Sequence, residues 1–274
     1  MKLRLYFYFL IFLVCNSLSC TELAPWFSEV YEFEPKLISE YAHYSKVNCA
    51  SGDVFYSDHD YYFDLSFALT ANERWSLEIE GQTAKTRARA FGIDCARLTG
   101  RYLWLDDVGG DSFVSLATGL TFSTPLKQSL HDISVFHHWY LDTELHVAIG
   151  KELSCGGPFW LDRAWVLLGL GSGTKGSSWL HGMLTLEKNL CDVHFLRLGG
   201  DYLRGFGTEN IVSPFAFQGY ASVAHGSFDL SYGYSYKIAW LGTMSLDVAM
   251  RLYAKNCPSN VRALILSLLI PFSL

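Results

Sequence analysis

The sequence predicts an all-β protein, a closed antiparallel up-and-down transmembrane β-barrel of about 12 strands, within a range of about 10 to 14. Three observations predict it. Large apolar or aromatic residues recur at every second position along most of the chain. Half of the 274 residues are hydrophobic and 16% are aromatic, yet only 18% are charged, against roughly 25% in an ordinary soluble domain. An export leader opens the chain, and after it no apolar run reaches the ~18 residues that a spanning helix needs.

The leader is "MKLRLYFYFLIFLVCNSLSC", residues 1–20. Lys2 and Arg4 form its positive start, Leu5 to Val14 its apolar stretch, and Ser17-Leu18-Ser19 the small-residue cleavage signal. Cleavage beside Cys20 is expected. Lipid attachment to Cys20 is the alternative, with Ser17 where lipobox signals usually place Leu. Residues 21–35, "TELAPWFSEVYEFEP", are less regular and are assigned to a periplasmic lead-in or an inward plug. Residues 36–274 are assigned to the barrel.

Side chains of a strand alternate between its two faces, so a period of two marks a two-faced strand. "SFDLSYGYSYKI" (Ser227 to Ile238) sets Phe228, Leu230, Tyr232, Tyr234, Tyr236 and Ile238 against Asp229, Ser231, Gly233, Ser235 and Lys237. Asp60 to Thr70 opposes Tyr61, Phe63, Leu65, Phe67 and Leu69 to Asp60, Tyr62, Asp64, Ser66 and Ala68. Trp75, Leu77 and Ile79 oppose Ser76, Glu78, Glu80 and Gln82. Leu145, Val147 and Ile149 oppose Glu144, His146 and Ala148. Leu180, Leu184 and Leu186 oppose His181, Thr185 and Glu187. Met244, Leu246, Val248, Met250 and Leu252 oppose Ser245, Asp247, Ala249 and Arg251. Turn signals such as "DDVGGD", "LGSGTKGSS" and "KNCPSN" separate the runs. A soluble exported β-protein is the structural alternative, but it would need Lys and Glu on its outer face, where this chain has Ser, Gly, Thr and Asp.

The chain ends in "VRALILSLLIPFSL", with Phe272 third from the end. This segment resembles the terminal strand of bacterial outer-membrane β-barrels of the porin type, which often ends in an aromatic residue. Here Ser273 and Leu274 follow it, and Pro271 removes an amide. The resemblance spans the mature chain in pattern. It implies residence in the outer membrane of a Gram-negative-type bacterium, with outer-membrane lipid, the barrel-assembly machinery and small solutes as partners. The chain is also similar to small cysteine-containing outer-membrane proteins of intracellular bacteria.

Cysteines beyond the leader stand at 49, 95, 155, 191 and 257. None forms C-x-x-C, so a zinc site is not expected from spacing. Cys49, Cys95, Cys155, Cys191 and Cys257 are candidates for disulfides in an oxidising compartment, with unpaired buried thiols as the alternative.

Three constellations bear on chemistry. His225-Gly226-Ser227 resembles the H-x-S pair of outer-membrane acyl hydrolases, in which His activates Ser. The Asn that follows in one type and the Asn-Ala in another are missing, and a hairpin turn is the better reading. His138, Asp142, Glu144 and His146 surround a turn and offer divalent-cation ligands; a polar rim with Trp139 and Tyr140 is preferred, and no metal or other cofactor is expected. "GLGSGTKGSS" lacks the order of a phosphate loop and reads as a hairpin loop.

The pooled polar faces carry the functional expectation. If the apolar faces meet lipid, Asp60, Asp64, Glu78, Glu80, Glu144, Glu187, Asp229 and Asp247 point inward with Lys237 and Arg251. Such an excess of carboxylates favours cations. The expected function is a porin-like channel for small solutes with a modest cation preference, and an interior filled by paired side chains is the competing arrangement. A lipid-modifying acyl hydrolase and a structural or adhesive envelope barrel cross-linked by disulfides are the alternatives. The net charge of -6 and pI near 5.8 leave no basic footprint for nucleic acid.

Overall fold

The computed structural model describes residues 23–153 and 161–273. The leader, Cys20 and Cys155 lie outside the described residues. Among those described, no helix is long and apolar enough to cross a membrane.

The chain forms a closed barrel of twelve antiparallel strands. They are β1 (Glu32–Cys49), β2 (Gly52–Asn72), β3 (Trp75–Lys85), β4 (Gly92–Leu105), β5 (Ser115–Pro125) and β6 (Asp142–Glu152). The second half holds β7 (Arg163–Gly173), β8 (Ser178–Leu190), β9 (His194–Gly205), β10 (Gly226–Ile238), β11 (Gly242–Lys255) and β12 (Arg262–Leu269). Each strand pairs with its neighbours in sequence, and β12 pairs with both β11 and β1, which closes the barrel. Two short extensions, Pro258–Ser259 and Phe272–Ser273, continue the pairing with β1 on either side of β12. Phe272 stacks on Phe33 across that seam, ring centres 5.4 Å apart. Closure leaves no unpaired strand edge, which is what lets a sheet sit in hydrocarbon. β1 begins at Glu32 and so takes in part of the stretch read as irregular from sequence.

The two faces of the strands follow the period-two pattern. Tyr61, Phe63, Leu65 and Phe67 of β2, Leu77 and Ile79 of β3, and Tyr232, Tyr234 and Tyr236 of β10 are exposed on the outer wall. Asp64, Ser66, Glu78, Glu80 and Ser235 on the same strands are buried inside. An outer surface this apolar suits lipid and not water. The facing assignment makes a direct prediction on β11, where Leu246 is 42% exposed and Ser245 is 6% exposed. Arg at a lipid-facing midplane site costs about 2–4 kcal/mol. Leu246→Arg should therefore lower the urea midpoint of the refolded barrel, read by heat-modifiable gel mobility, well below that of Ser245→Arg. Equal midpoints would mean that the two side chains do not face different media.

The interior is divided unevenly. At the end of the barrel away from the chain termini, the two long loops 126–141 and 206–225 turn inward. They pack Ile133, Phe136, Ile211, Phe217, Tyr220 and Val223 against Tyr44 and Val47 of β1, Tyr56 of β2, Cys257 and Val261. The Tyr220 hydroxyl donates to the Ile133 carbonyl at 2.7 Å and ties one loop to the other. Asn256 fastens loop 206–225 to the β11–β12 connection. Its amide nitrogen donates to Asn210 Oδ1 and to the Ala224 carbonyl, each at 2.7 Å, and its Oδ1 accepts from the Ile211 amide at 3.2 Å. This apolar plug fills the loop end of the barrel beside β1, β2 and β11, while the terminal end of the same strands borders open space.

Candidate functional site: the barrel interior

Two spaces remain inside the barrel. A central cavity of about 200 Å³ is lined by Gln82, Thr99, Thr121, Ser123, Asp142, Glu144, Trp179, His181 and Asp201, with Leu23 against it. A vestibule of about 420 Å³ at the terminal end is lined by Ala24, Trp26, Phe27 and Ser28, together with Glu34, Lys36, Glu78, Arg101, Arg163, Glu187 and Arg197. The segment from Leu23 to Ser28 thus borders both spaces.

This segment is held by specific contacts. The Arg101 guanidinium donates to the Ala24 carbonyl at 3.0 Å and lies over the Phe27 ring at 4.8 Å. Trp26 meets Trp165 edge-on, with ring centres 5.6 Å apart, and has Arg163 over its face. Trp26 Nε1 donates to Asp107 Oδ1 at 2.9 Å. Asp107 sits in the β4–β5 connection, outside the spanning strands. Burial opposes its charge, but hydrogen bonds from Ser115, Trp26, the Glu152 amide and Lys151 outweigh that and hold its carboxyl down at about 2. Gly150 is what lets the segment approach the β6 wall, since a Cβ there would lie 2.6 Å from Pro25 and 2.8 Å from Trp26.

The residues expected to line an open lumen fall into three groups. Glu78, Glu80, Glu144, Glu187 and Asp247 sit on the inner wall beside cations or histidine. Glu80 pairs with Arg97, and Asp247 with Arg197 at 3.1 Å. Glu144 accepts from Trp179 Nε1 at 2.9 Å and meets His181 Nδ1 at 3.2 Å. His181 Nε2 meets Asp201 at 2.9 Å, so one imidazole bridges two carboxylates. Asp60, Asp64, Asp229 and Arg251 are instead fully enclosed. They do not face open space, because the inward loops fill that side. Lys237 departs from the expectation in another way. It is exposed and lines a surface hollow with Glu152, Asp162 and Lys188 at the terminal end.

The sequence tally of eight carboxylates against two cations is also corrected. Arg97 and Arg101 of β4 and Arg197 of β9 project inward and balance much of the charge. Both strands carry the same alternation as the others, in "CARLTGR" and "HFLRLGGD", and that signal locates these arginines.

The remaining candidates do not assemble. His225 and Ser227 are buried, and the Ser227 hydroxyl and His225 Nε2 have no partner. His225 Nδ1 is engaged with the Val223 carbonyl at 2.9 Å, and the ring stacks on Phe136. Neither faces lipid, so the pair cannot reach an acyl chain in this arrangement. His138 stacks on Trp179 at 3.9 Å, while the Asp142 carboxylate caps the His138 and Trp139 amides. Glu144 is committed to Trp179 and His181, and His146 lies over Gly119. Burial holds the His138 and His225 imidazoles down, to about 4 at His225, so both are neutral at pH 7. Cys49, Cys95, Cys191 and Cys257 are free thiols. Cys95 sits on the inner wall, Cys191 is exposed at a terminal-end turn, and Cys49 and Cys257 lie in the loop-end core.

No family model matches the chain, and no curated protein matches it. Solved structures do. An outer membrane channel from Pseudomonas putida F1 superposes with a TM-score of 0.67 at 11% identity, covering 93% of this chain and 100% of that one. The NanC porin gives 0.57 at 8% identity, over 88% and 100% of the two chains. The translocator domain of the autotransporter NalP from Neisseria meningitidis gives 0.51 at 9% identity, over 88% of each. At these identities the likeness establishes the fold, a barrel of the outer-membrane type.

Proposed function

We propose that this barrel is an outer-membrane, porin-like channel for small solutes. Its path runs through the central cavity and the terminal-end vestibule, and the segment Leu23 to Ser28 closes it. The observation that carries the reading is the pair of cavities bordered by charged side chains, one central and one at the terminal end, with that short segment between them. The outer-membrane channel and the porin among the similar structures are consistent with the proposal through their shared fold.

Ion preference follows from the central cavity and not from the vestibule. In the vestibule Glu34, Glu78 and Glu187 face Lys36, Arg101, Arg163 and Arg197, so the charges nearly cancel. In the central cavity Glu80, Asp142, Glu144 and Asp201 face Arg97 as the strong cation. That excess raises local cation concentration, and salt screens it over a Debye length of about 10 Å at 0.1 M. The test is planar-bilayer recording of the refolded mature chain without residues 23–28. The reversal potential should indicate modest cation preference at low salt and fade at high salt. Glu144→Gln with Asp201→Asn should shift it toward zero, by more than Glu78→Gln does. Anion preference at low salt would overturn the charge argument.

A further inference from the structure

We infer that Asp94, Cys95 and His137 form a binding site for a divalent transition metal of the zinc class. This inference does not depend on the channel reading.

The site arises from an irregularity in β4. Along the β3–β4 ladder Gln82 pairs with Cys95, and Thr83 pairs with Ile93, so Asp94 is left out of register. A bulge of this kind re-aims a side chain. Asp94 and Cys95, although adjacent in sequence, are therefore both buried inside the barrel. Loop 126–141 brings His137 to them, and His137 Nε2 lies 2.9 Å from Asp94 Oδ2. The carboxylate oxygen, the thiol sulfur and the imidazole nitrogen all lie within 4.8 Å of one another. In a tetrahedral zinc site, bonds of about 2.0 Å to N or O and 2.3 Å to S put neighbouring donors roughly 3.3–3.5 Å apart. The three donors as they stand, no more than 4.8 Å apart, are close to that spacing.

Three further features fit a metal. Arg89 is paired with Asp94 through Oδ1, which leaves Oδ2 toward His137. A hydrogen-bonded outer oxygen of this sort is how ligating carboxylates are usually oriented. Gln82 Oε1, which accepts from the Cys95 thiol at 3.6 Å and from Arg97 Nη2 at 3.4 Å, is placed to be the fourth donor. The charges also balance. A dication and Arg89 carry three positive charges, and Asp94, a Cys95 thiolate and the nearby buried Asp132 carry three negative ones, while the neighbouring Arg97 is offset by its partner Glu80. The thiol proton leaves to solvent as the metal binds, and His137 and Gln82 border the central cavity, which gives an ion its approach. Bound metal would tie loop 126–141 to the barrel wall.

The donor set selects a borderline or soft ion over magnesium or calcium, which prefer all-oxygen cages. The experiment titrates Co2+ into the untagged, refolded mature chain. Expected is a thiolate-to-cobalt charge-transfer band that saturates at a single equivalent and is displaced by Zn2+. Cys95→Ser should abolish the band, and His137→Gln should weaken binding by about tenfold or more. Cys191→Ser, which removes the exposed rival thiol, should leave the band intact. Heat-modifiable mobility checks that each variant is folded, and His137→Gln decides the matter if Cys95→Ser is not. No band in the parent chain would overturn the proposal, as would a band that survives Cys95→Ser or unchanged affinity in folded His137→Gln.

Discussion

Replacing Arg251 by methionine is expected to destabilise the barrel by about 3–5 kcal/mol, because it strands a buried carboxylate. Arg251 projects from β11 and Asp229 from the neighbouring β10, with side chains 2% and 1% exposed. They make a two-pronged pair, Nε to Oδ1 and Nη2 to Oδ2, each at 2.8 Å. The third nitrogen, Nη1, donates to the Pro258 carbonyl at 3.1 Å, so the same side chain also anchors the short strand before β12. The guanidinium lies over Phe136, which ties the pair to the inward loop above it. Losing Arg251 alone removes all of these and leaves Asp229 without compensation. The double change Arg251→Met with Asp229→Leu should recover most of the loss, because it removes both charges together. Urea midpoints of the refolded variants decide this. If the single variant matched the parent, or the double were no better than the single, the pair would not be what holds this side of the barrel.

That pair shows how far the sequence could be read. The alternation around Asp229 and Arg251 places both residues inside, because lipid on one face imposes a strict period of two. The same rule locates Glu78, Glu80, Ser235 and Ser245. It applies equally to Arg97, Arg101 and Arg197, so the charge balance of the interior was legible once every strand was included. The filling of the lumen was not. Loops 126–141 and 206–225 have no periodicity, and what buries Tyr220 or Ile211 is contact with residues far away in the chain. For the same reason alternation alone could not say that Asp60 and Asp64 would be enclosed while Glu144 borders a cavity. The bulge at Asp94 breaks the very period that the reading relies on, which is why the Asp94, Cys95 and His137 group left no trace in the pattern. Trp26 is one aromatic in an irregular stretch, and its role depends on Asp107, 81 positions on, and on Trp165, further still along the chain.

Freeing the segment from Leu23 to Ser28 should turn a closed barrel into a conducting one. Trp26 is its main fastening. Trp26→Ala removes a hydrogen bond to a charged carboxylate, worth about 1.5–3 kcal/mol, and an aromatic contact worth about 0.5–1.5 kcal/mol. A loss of about 2 kcal/mol or more raises the open population roughly tenfold or more, since each 1.4 kcal/mol is a factor of ten. Gly150→Phe attacks the same contact from the barrel wall, because any side chain there meets Pro25 and Trp26. Deleting residues 23–28 should give the largest conductance of the three. Acid tests the latch independently. The Asp107 carboxyl is held below its ordinary value, so its contribution is complete above the unfolded value near 4 and is lost as pH falls through about 2. Conductance of the intact chain should therefore stay low from pH 7 to pH 4 and rise as pH approaches 2, while the deleted form should show no such rise. Single-channel recording of the intact and altered chains separates the possibilities. Equal conductance in all of them would mean that the segment is not the closure. Silence in all of them, in folded barrels, would remove the channel itself and leave a barrel whose two cavities serve another end.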